Sequence, residues 1–245
     1  MAWDSKKLIT LDLLERVQDR KSLDLAEVAS SDINEPKLVV TLNVSHLRQS
    51  SDNPEYLTKL LRADFLIADG KPIIWILKFL KGKTVSRWTG VDLVQEILST
   101  EDAFFIVGSS STNIAHSFKS YFPLKVPNLP GRTWSEVVNL DDEEQRFDLA
   151  SNLERVQPRV VFLALGNPKG ENLYFEMKRH GLLPPALYIG VGGSFELLAG
   201  RYSRAPNWIQ SLGFEWFWRM IQEPFRLMPR YYQDAKWLLN FLNQD

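Results

Sequence analysis

Five short apolar runs recur along this chain, and each of them ends in a turn of small, polar or glycine residues. The runs lie at residues 38–42, 65–68, 103–107, 160–165 and 186–189, and segments with helical patterning separate them. Strands that alternate with helices are typical of a mostly parallel sheet covered by helices on both faces. The sequence therefore predicts an α/β fold, in which ligands bind at the carboxyl ends of the strands.

Composition excludes several classes of protein. The 245 residues carry a net charge of −1, with 29 Lys plus Arg against 30 Asp plus Glu, so we expect no nucleic-acid partner. Because there is no cysteine, disulfides and thiolate metal sites are excluded. No two aspartates are separated by one residue, so the Asp-x-Asp metal grip on a nucleotide diphosphate is missing and we expect no metal cofactor. With no targeting signal and no apolar run of about 18 residues, the expected location is the cytoplasm.

The last part of the chain differs from the rest. Residues 201–245 hold 11 of the 29 aromatic residues, and the α/β alternation stops near residue 200. We therefore predict an α/β core over residues 1–200 and a helical segment over residues 201–245. Aromatic and cationic groups together suit a membrane interface or a lipid phosphate, whereas the alternative is a segment that only packs on the core.

Polar side chains follow the first two predicted strands. Alternation places Thr41 and Asn43 on the same side of their strand, where a hydroxyl and an amide can bind a polar ligand. Asn43 is equally suited to cap the next helix. Asp69 follows the second strand, and burial beside apolar residues would raise its pKa into the range of a general base. The alternative for Asp69-Gly70 is a tight turn or a helix cap.

Cationic and imidazole side chains give weaker signals. Arg87 presents a planar guanidinium for phosphate or carboxylate, or else it is a surface residue stacked on Trp88. The three histidines, His46, His116 and His180, are scattered, and we interpret each as a surface residue.

Glycine-bearing turns end three further strands. They contain Gly108, then Gly166, Asn167 and Pro168 before Glu171, and then Gly190, Val191, Gly192 and Gly193. Free backbone N–H groups and a helix dipole at such turns favour an anion. The spacing matches neither a P-loop nor G-x-G-x-x-G, but three such turns on one sheet edge fit a nucleotide diphosphate.

In the last segment, Arg204 precedes Ala205-Pro206, and Arg219, Arg226 and Arg230 are spaced by seven and four residues. That spacing predicts one helical face. Pro224 and Pro229 are expected to break or kink the helix.

Taken together, these motifs resemble the WecG/TagA/CpsF glycosyltransferase family from about residue 37 to about residue 241. Each motif alone is weak, and their order and spacing make the set specific. The residues that carry the resemblance are Thr41-Leu42-Asn43, Ala63-Asp64, Ala68-Asp69-Gly70, Arg87, Thr89-Gly90-Val91-Asp92-Leu93, Phe105-Ile106-Val107-Gly108, Leu165-Gly166-Asn167-Pro168-Lys169, Glu171, Ile189-Gly190-Val191-Gly192-Gly193, Ala199-Gly200, Arg204-Ala205-Pro206, Glu215-Trp216, Arg219, Glu223-Pro224 and Arg226.

The resemblance implies a Rossmann-like fold and an inverting enzyme. Family members transfer an N-acetylmannosamine-type sugar from a UDP donor to an undecaprenyl-diphosphate-linked sugar, for teichoic acid, common antigen or capsule. It implies that Asp69 is the general base and that Thr41, Asn43 and Arg87 line the substrate pocket. It implies that the C-terminal arginines close over the site and hold the lipid diphosphate. A homo-oligomer at the inner face of the cell membrane is expected on the same ground.

One position departs from the family pattern. The family usually reads Pro-Lys-Gln-Glu, whereas this chain has Pro168-Lys169-Gly170-Glu171, so a glutamine amide that could touch the donor is absent. This departure favours an alternative, a nucleotide-sugar-binding module without transfer activity. A second alternative is a dinucleotide oxidoreductase, and the missing G-x-G-x-x-G argues against it.

Overall fold

The computed structural model describes residues 2–100, 103–129, 131–135 and 139–243. Within them the strands form one seven-stranded sheet of order β1-β3-β2-β7-β6-β4-β5, and every described pairing is parallel. The strands are β1 (Val17–Gln18), β2 (Lys37–Leu42), β3 (Phe65–Ala68), β4 (Phe104–Val107), β5 (Thr133–Trp134), β6 (Val160–Leu163) and β7 (Leu187–Gly190). The expected α/β fold with a parallel sheet is confirmed.

Helices cover both faces of this sheet. They are α1 (Ala2–Glu15), α2 (Leu25–Ser30), α3 (Val44–Asp52), α4 (Pro54–Leu61), α5 (Lys71–Lys81), α6 (Gly90–Thr100), α7 (Ser111–Tyr121), α8 (Glu143–Val156), α9 (Lys169–Arg179), α10 (Ser194–Leu198), α11 (Asn207–Leu212), α12 (Glu215–Gln222) and α13 (Pro224–Leu242). No described helix has the length and the apolar character that crossing a membrane requires.

Alternate residues of each strand pack into two separate cores. In β2, Leu38 and Val40 face the core formed with α1, α3, α4, α5, α8 and α9, whereas Val39 faces the core formed with α2, α6, α7 and α10. Strands buried on both faces are apolar at every position, which is why they read as continuous apolar runs in the sequence.

Local signals fix several helix ends. Asn53 caps α4 through its side chain, which accepts from the N–H of Tyr56, and Pro54 occupies the first turn, where its missing N–H costs nothing. Helix α5 ends at Gly82, whose φ of +60° is the left-handed conformation that glycine adopts easily.

Two strands lie outside the five apolar runs of the sequence. The segment after α7 contains a 3-10 helix (Pro123–Asn128) and the edge strand β5. Strand β1 at the other edge was not expected. Both edge strands have two residues, which is too few for a periodic pattern.

The neighbouring strands β2 and β7 send the chain to opposite faces of the sheet. Helix α3, which follows β2, packs in the first core, whereas α10, which follows β7, packs in the second. Helices on either side of such a switch point leave a crevice at the carboxyl ends of the strands, where ligands of open α/β sheets bind. The hydroxyl of Thr41 bridges the two strands here by donating to the carbonyl of Gly190 at 2.8 Å.

The C-terminal segment is helical, as expected. Its last helix, α13, packs into the core that lies on the α3 side of the sheet. Trp237 and Phe241 of α13 are buried in the same core as β2. The indole of Trp237 donates to the hydroxyl of Ser51 at 2.8 Å, and the guanidinium of Arg48 donates to Asp234 at 2.7 Å. The division at residue 200 stays a prediction.

Trp237→Ala is expected to destabilise the whole fold. Deleting a buried aromatic side chain costs about 3–5 kcal/mol of unfolding free energy, which urea denaturation followed by circular dichroism measures. The matched control is Phe225→Ala in the same helix, because Phe225 is 98% exposed and its loss should change the free energy by less than about 0.5 kcal/mol. An unchanged main transition in Trp237→Ala would contradict a shared core.

Candidate active site

The carboxyl ends of β2 and β3 place Asn43 and Asp69 side by side. Leu42 pairs with Ala68, and the N–H of Asp69 donates to the carbonyl of Leu42 at 2.8 Å, so the next residue of each strand lies at the same level of the sheet edge. Helix α5 then begins after Gly70, without a side-chain cap. The alternative in which Asp69 caps this helix is therefore not observed.

Asn43 has the capping role that the sequence allowed. Its side-chain oxygen accepts from the N–H of His46 at 3.3 Å and caps α3. Thr41 is buried, with its hydroxyl engaged by Gly190. Both residues lie at the crevice, as predicted, and each has a structural bond as well.

The environment of Asp69 favours the neutral acid more than water does. Burial raises the pKa of its carboxyl to about 6, against the charges of Arg87, His46 and Arg219, which lower it, while the charge of Glu215 raises it further. Among the described residues, no side chain or backbone group forms a hydrogen bond with this carboxylate. It therefore remains available to a substrate hydroxyl, with a pKa suited to accepting a proton near neutral pH.

Arg87 reaches the site because the segment before α6 runs beside β3. The N–H of Trp88 donates to the carbonyl of Ala68 at 3.0 Å, and Trp88 is buried. The guanidinium that covers the Trp88 ring belongs to Arg20, at 5.4 Å from the ring centroid. Arg87 instead pairs with Glu215 of α12 at 2.8 Å, so it is not the stacked surface residue of the alternative interpretation.

One glycine turn requires glycine on geometric grounds, and another lies close to an arginine side chain. Gly108 has a φ of +98°, and a side-chain carbon there would lie 2.3 Å from the methyl carbon Cδ2 of Leu165. Gly193 lies under the guanidinium of Arg219, whose Nη2 would be 2.6 Å from such a carbon. Backbone and guanidinium thus meet closely at the end of β7.

Unpaired polar groups lie next to these turns. Among the described side chains, the hydroxyl of Ser109 and the amide nitrogen of Asn167 are buried without a hydrogen-bond partner. Ser109 follows β4, and Asn167 lies in the turn after β6. Buried polar groups are nearly always paired, so these two groups indicate a polar ligand or water at this edge.

The residues of the turn after β6 differ in how deeply they are buried. Gly166 faces open space, and the bond between Asn167 and Pro168 is cis. Gly170 is buried, but a side-chain carbon there would meet its neighbours only at ordinary contact distances, the shortest 3.7 Å. The carboxylate of Glu171 lies in the core, where His46 and Tyr56 contact it. Its predicted contact with the sugar donor would therefore have to involve its backbone.

Three C-terminal arginines lie near the strand ends. Arg204 donates to Asp92 of α6 at 2.7 Å, and its Nε lies 3.8 Å from Glu215. Arg219 covers Gly193. Arg226 of α13 joins the cluster through Glu223, which it contacts directly. Glu215 thus links Arg87 of the core to Arg204 of the segment that follows residue 200.

Arg230 forms no ion pair with these residues in the described part of the chain. Its guanidinium lies over the ring of Tyr231, 5.0 Å from the centroid. The three arginines expected on one helical face are divided between α12 and α13, because α12 ends at Gln222 and Pro224 begins the next helix. Pro229 lies inside α13.

Metal ligands do not gather in the described part of the chain, where no three His, Asp or Glu side chains are placed to hold an ion. The positive charge at the strand ends comes from arginine side chains.

Sequence reasoning missed two charged residues at the site. Glu215 was noted only within a motif, and its pairing with Arg87 carries no local signal in the sequence. His46 was interpreted as a surface residue, but it is 4% exposed, and the interpretation is wrong. Its position three residues after Asn43 is the signal that could have placed it in the first turn of a capped helix.

Comparison with known proteins agrees with this geometry. Residues 15–245 match the sequence model described as the Glycosyl transferase WecG/TagA/CpsF family. A relative from Bacillus subtilis (strain 168) is 28% identical over 193 residues, which cover 77% of this chain and 73% of the relative. A relative from Bacillus spizizenii (strain ATCC 23059 / NRRL B-14472 / W23) is 30% identical over 207 residues, which cover 82% of this chain and 77% of the relative.

Both relatives carry the name N-acetylglucosaminyldiphosphoundecaprenol N-acetyl-beta-D-mannosaminyltransferase. The family match covers the whole sheet edge described above as well as the C-terminal helices. This chain belongs to the WecG/TagA/CpsF family of glycosyltransferases, as its motifs predicted.

Proposed function

We propose that this enzyme transfers an N-acetylmannosamine-type sugar from UDP to a sugar linked to polyprenyl diphosphate, with inversion, and that Asp69 is the general base. The observation that carries the proposal is the Asp69 carboxylate, desolvated at the switch-point edge of the sheet and facing the charges of Arg87 and Arg219. The names of the two Bacillus relatives support the donor sugar and the lipid-linked acceptor.

The proposed step moves one proton and exchanges one bond. Asp69 takes the proton of the acceptor hydroxyl while the hydroxyl oxygen attacks the anomeric carbon of the donor. The bond from that carbon to the diphosphate oxygen breaks on the opposite face, and UDP leaves with the electron pair. General-base assistance of this kind contributes about 10²–10⁴-fold to the rate.

The leaving diphosphate develops negative charge that the site must stabilise. Arg219 lies over Gly193, and in the turn after β7 the backbone N–H groups of Gly192 and Gly193 form no hydrogen bond with a described residue. Fixed cations and dipoles aimed at developing charge stabilise it without reorganisation. We therefore propose that transfer is independent of a metal ion.

The C-terminal helices are proposed to meet the acceptor at the inner face of the cell membrane. Arg204, Arg226 and Arg230 would hold the lipid diphosphate. The exposed aromatic side chains near them are Trp208, Phe214, Trp216, Phe217, Phe225 and Tyr232. An apolar surface beside cationic groups suits the boundary between headgroups and acyl chains. The expected homo-oligomer stays a prediction.

Asp69→Asn is expected to lower kcat by about 10²–10⁴-fold while UDP binding is retained, because the amide keeps the shape and cannot accept the proton. Radiolabelled sugar transfer measures the first quantity, and isothermal titration with UDP measures the second. The matched control is Asp64→Asn at the other end of β3, where the carboxylate accepts from the N–H of Leu38 and lies away from the site. Near-normal turnover in Asp69→Asn would exclude Asp69 as the base.

The pH dependence follows from the raised pKa of Asp69. The base must be ionised, so kcat/KM is expected to be full above the pKa of about 6 and to fall tenfold per pH unit below it. Glu215→Gln removes a negative charge that raises this pKa, and the acidic limb should therefore move to lower pH. Glu55→Gln, at an exposed carboxylate of α4, is the control. A limb that stays in place in Glu215→Gln would contradict the assignment.

Chelation tests the proposed metal independence. Turnover measured after dialysis against EDTA is expected to equal that of the untreated enzyme, because arginine side chains supply the cationic groups. Added Mg²⁺ or Mn²⁺ should change kcat by less than about twofold. Loss of turnover in EDTA with recovery on adding either ion would show that a metal takes part.

A further inference from the structure

A carboxylate without an evident packing role is buried behind the sheet edge. Glu171 of α9 is 4% exposed. Its Oε1 lies 3.3 Å from Nε2 of His46, and its Oε2 accepts from the hydroxyl of Tyr56 at 3.3 Å. Burial opposes ionisation of Glu171, but the hydrogen bond and the charge of His46 outweigh it, and the pKa of this carboxyl lies below its usual value. A buried charge is costly unless it is paired, so this arrangement needs a reason beyond packing.

His46 joins this carboxylate to Asn43. The backbone N–H of Asn43 donates to Nδ1 of His46 at 3.2 Å, so Nε2 carries the proton that faces Glu171. When both ring nitrogens are protonated, Nδ1 can instead donate to Oδ1 of Asn43, 2.9 Å away. In either state the ring binds Asn43 on one side and Glu171 on the other. Stacking on Tyr56, with 19° between the rings, fixes the plane of the imidazole.

These contacts determine whether the oxygen or the nitrogen of the Asn43 side-chain amide is free to bind a substrate. Oδ1 accepts from the backbone N–H of His46 at 3.3 Å and also lies 2.9 Å from Nδ1 of the imidazole, so the backbone and the ring together hold the oxygen at the start of α3. The amide nitrogen of Asn43 forms no hydrogen bond with any described residue, and the side chain is half-buried beside Asp69. Asn43 therefore presents a hydrogen-bond donor, and not an acceptor, to the group that reacts at Asp69.

We propose that the buried Glu171–His46 pair is a positioning device that orients the Asn43 amide donor toward the reacting groups at Asp69. Neither His46 nor Glu171 touches substrate in this account. Each acts through Asn43. The inference rests on the proposed function, since it assigns these residues a part in the same reaction.

The test compares His46→Gln with Tyr56→Phe. Tyr56→Phe removes one donor to the buried carboxylate and keeps the imidazole beside Asn43. His46→Gln removes the imidazole that contacts Asn43, while its amide nitrogen still offers a donor to Glu171. We expect kcat to fall 10- to 100-fold in His46→Gln and less than threefold in Tyr56→Phe, with KM for the UDP-sugar within twofold in both. Equal losses of kcat in the two variants would show that the Glu171–His46 pair only stabilises the fold, and would contradict the positioning role.

A double-mutant cycle with Asn43→Ala separates positioning from general weakening. If His46 acts through Asn43, then His46→Gln should lower kcat by less than twofold in the Asn43→Ala background. Independent, multiplicative losses would overturn the proposal. Should His46→Gln fail to fold, Glu171→Gln serves in its place, because it preserves the shape and removes the charge that holds the ring.

A crystal structure of His46→Gln tests the position of Asn43 without an activity measurement. We expect the Asn43 side chain to leave its position at the start of α3, and an unchanged Asn43 would contradict the inference. If the wild-type enzyme transfers no sugar although Asn43 moves as expected, the proposed function fails and the positioning role stands. If the wild-type enzyme transfers the sugar but the losses of kcat in the double-mutant cycle multiply, the proposed function stands and the positioning role fails.

Discussion

Parallel pairing determines where the candidate active site of this enzyme lies. When neighbouring strands run the same way, their carboxyl ends share one edge, and residues far apart in sequence become neighbours there. Asn43 and Asp69 follow β2 and β3 at the same level, and Gly190 ends β7 on the other side of β2. The crevice lies between β2 and β7, because the helices that follow these two strands pack on opposite faces of the sheet. The helices serve to cover the sheet and to bring further charges to its edge.

Two carboxylates at this edge of the sheet, those of Asp69 and Glu215, have different surroundings. Asp69 is desolvated and lacks a hydrogen-bond partner among the described residues, while Glu215 pairs with Arg87 only a short distance away. Burial raises the pKa of Asp69, which can exchange a proton, whereas Glu215 is engaged in an ion pair and holds Arg87 in place. The two acidic groups therefore have different roles because their surroundings differ, although their chemistry is the same.

Sequence reasoning predicted the longer strands well because buried parallel strands are continuous apolar runs. It missed β1 and β5, since two residues carry no periodicity. Asp69 was identifiable because it follows such a run directly. The pairing of Glu215 with Arg87 was not, because it depends on how α12 returns over the sheet, and no local pattern encodes that path. The burial of Glu171 likewise depends on which side of α9 faces the core.

The contacts of α3 have a mechanical consequence. This helix begins at the Asn43 cap, and its far end is clamped to α13 by the Arg48–Asp234 ion pair and the bond from Trp237 to Ser51. Helix α3 therefore joins the C-terminal helix to the strand end that carries Asn43, so α13 is anchored at the sheet edge through side chains of α3 as well as through the core.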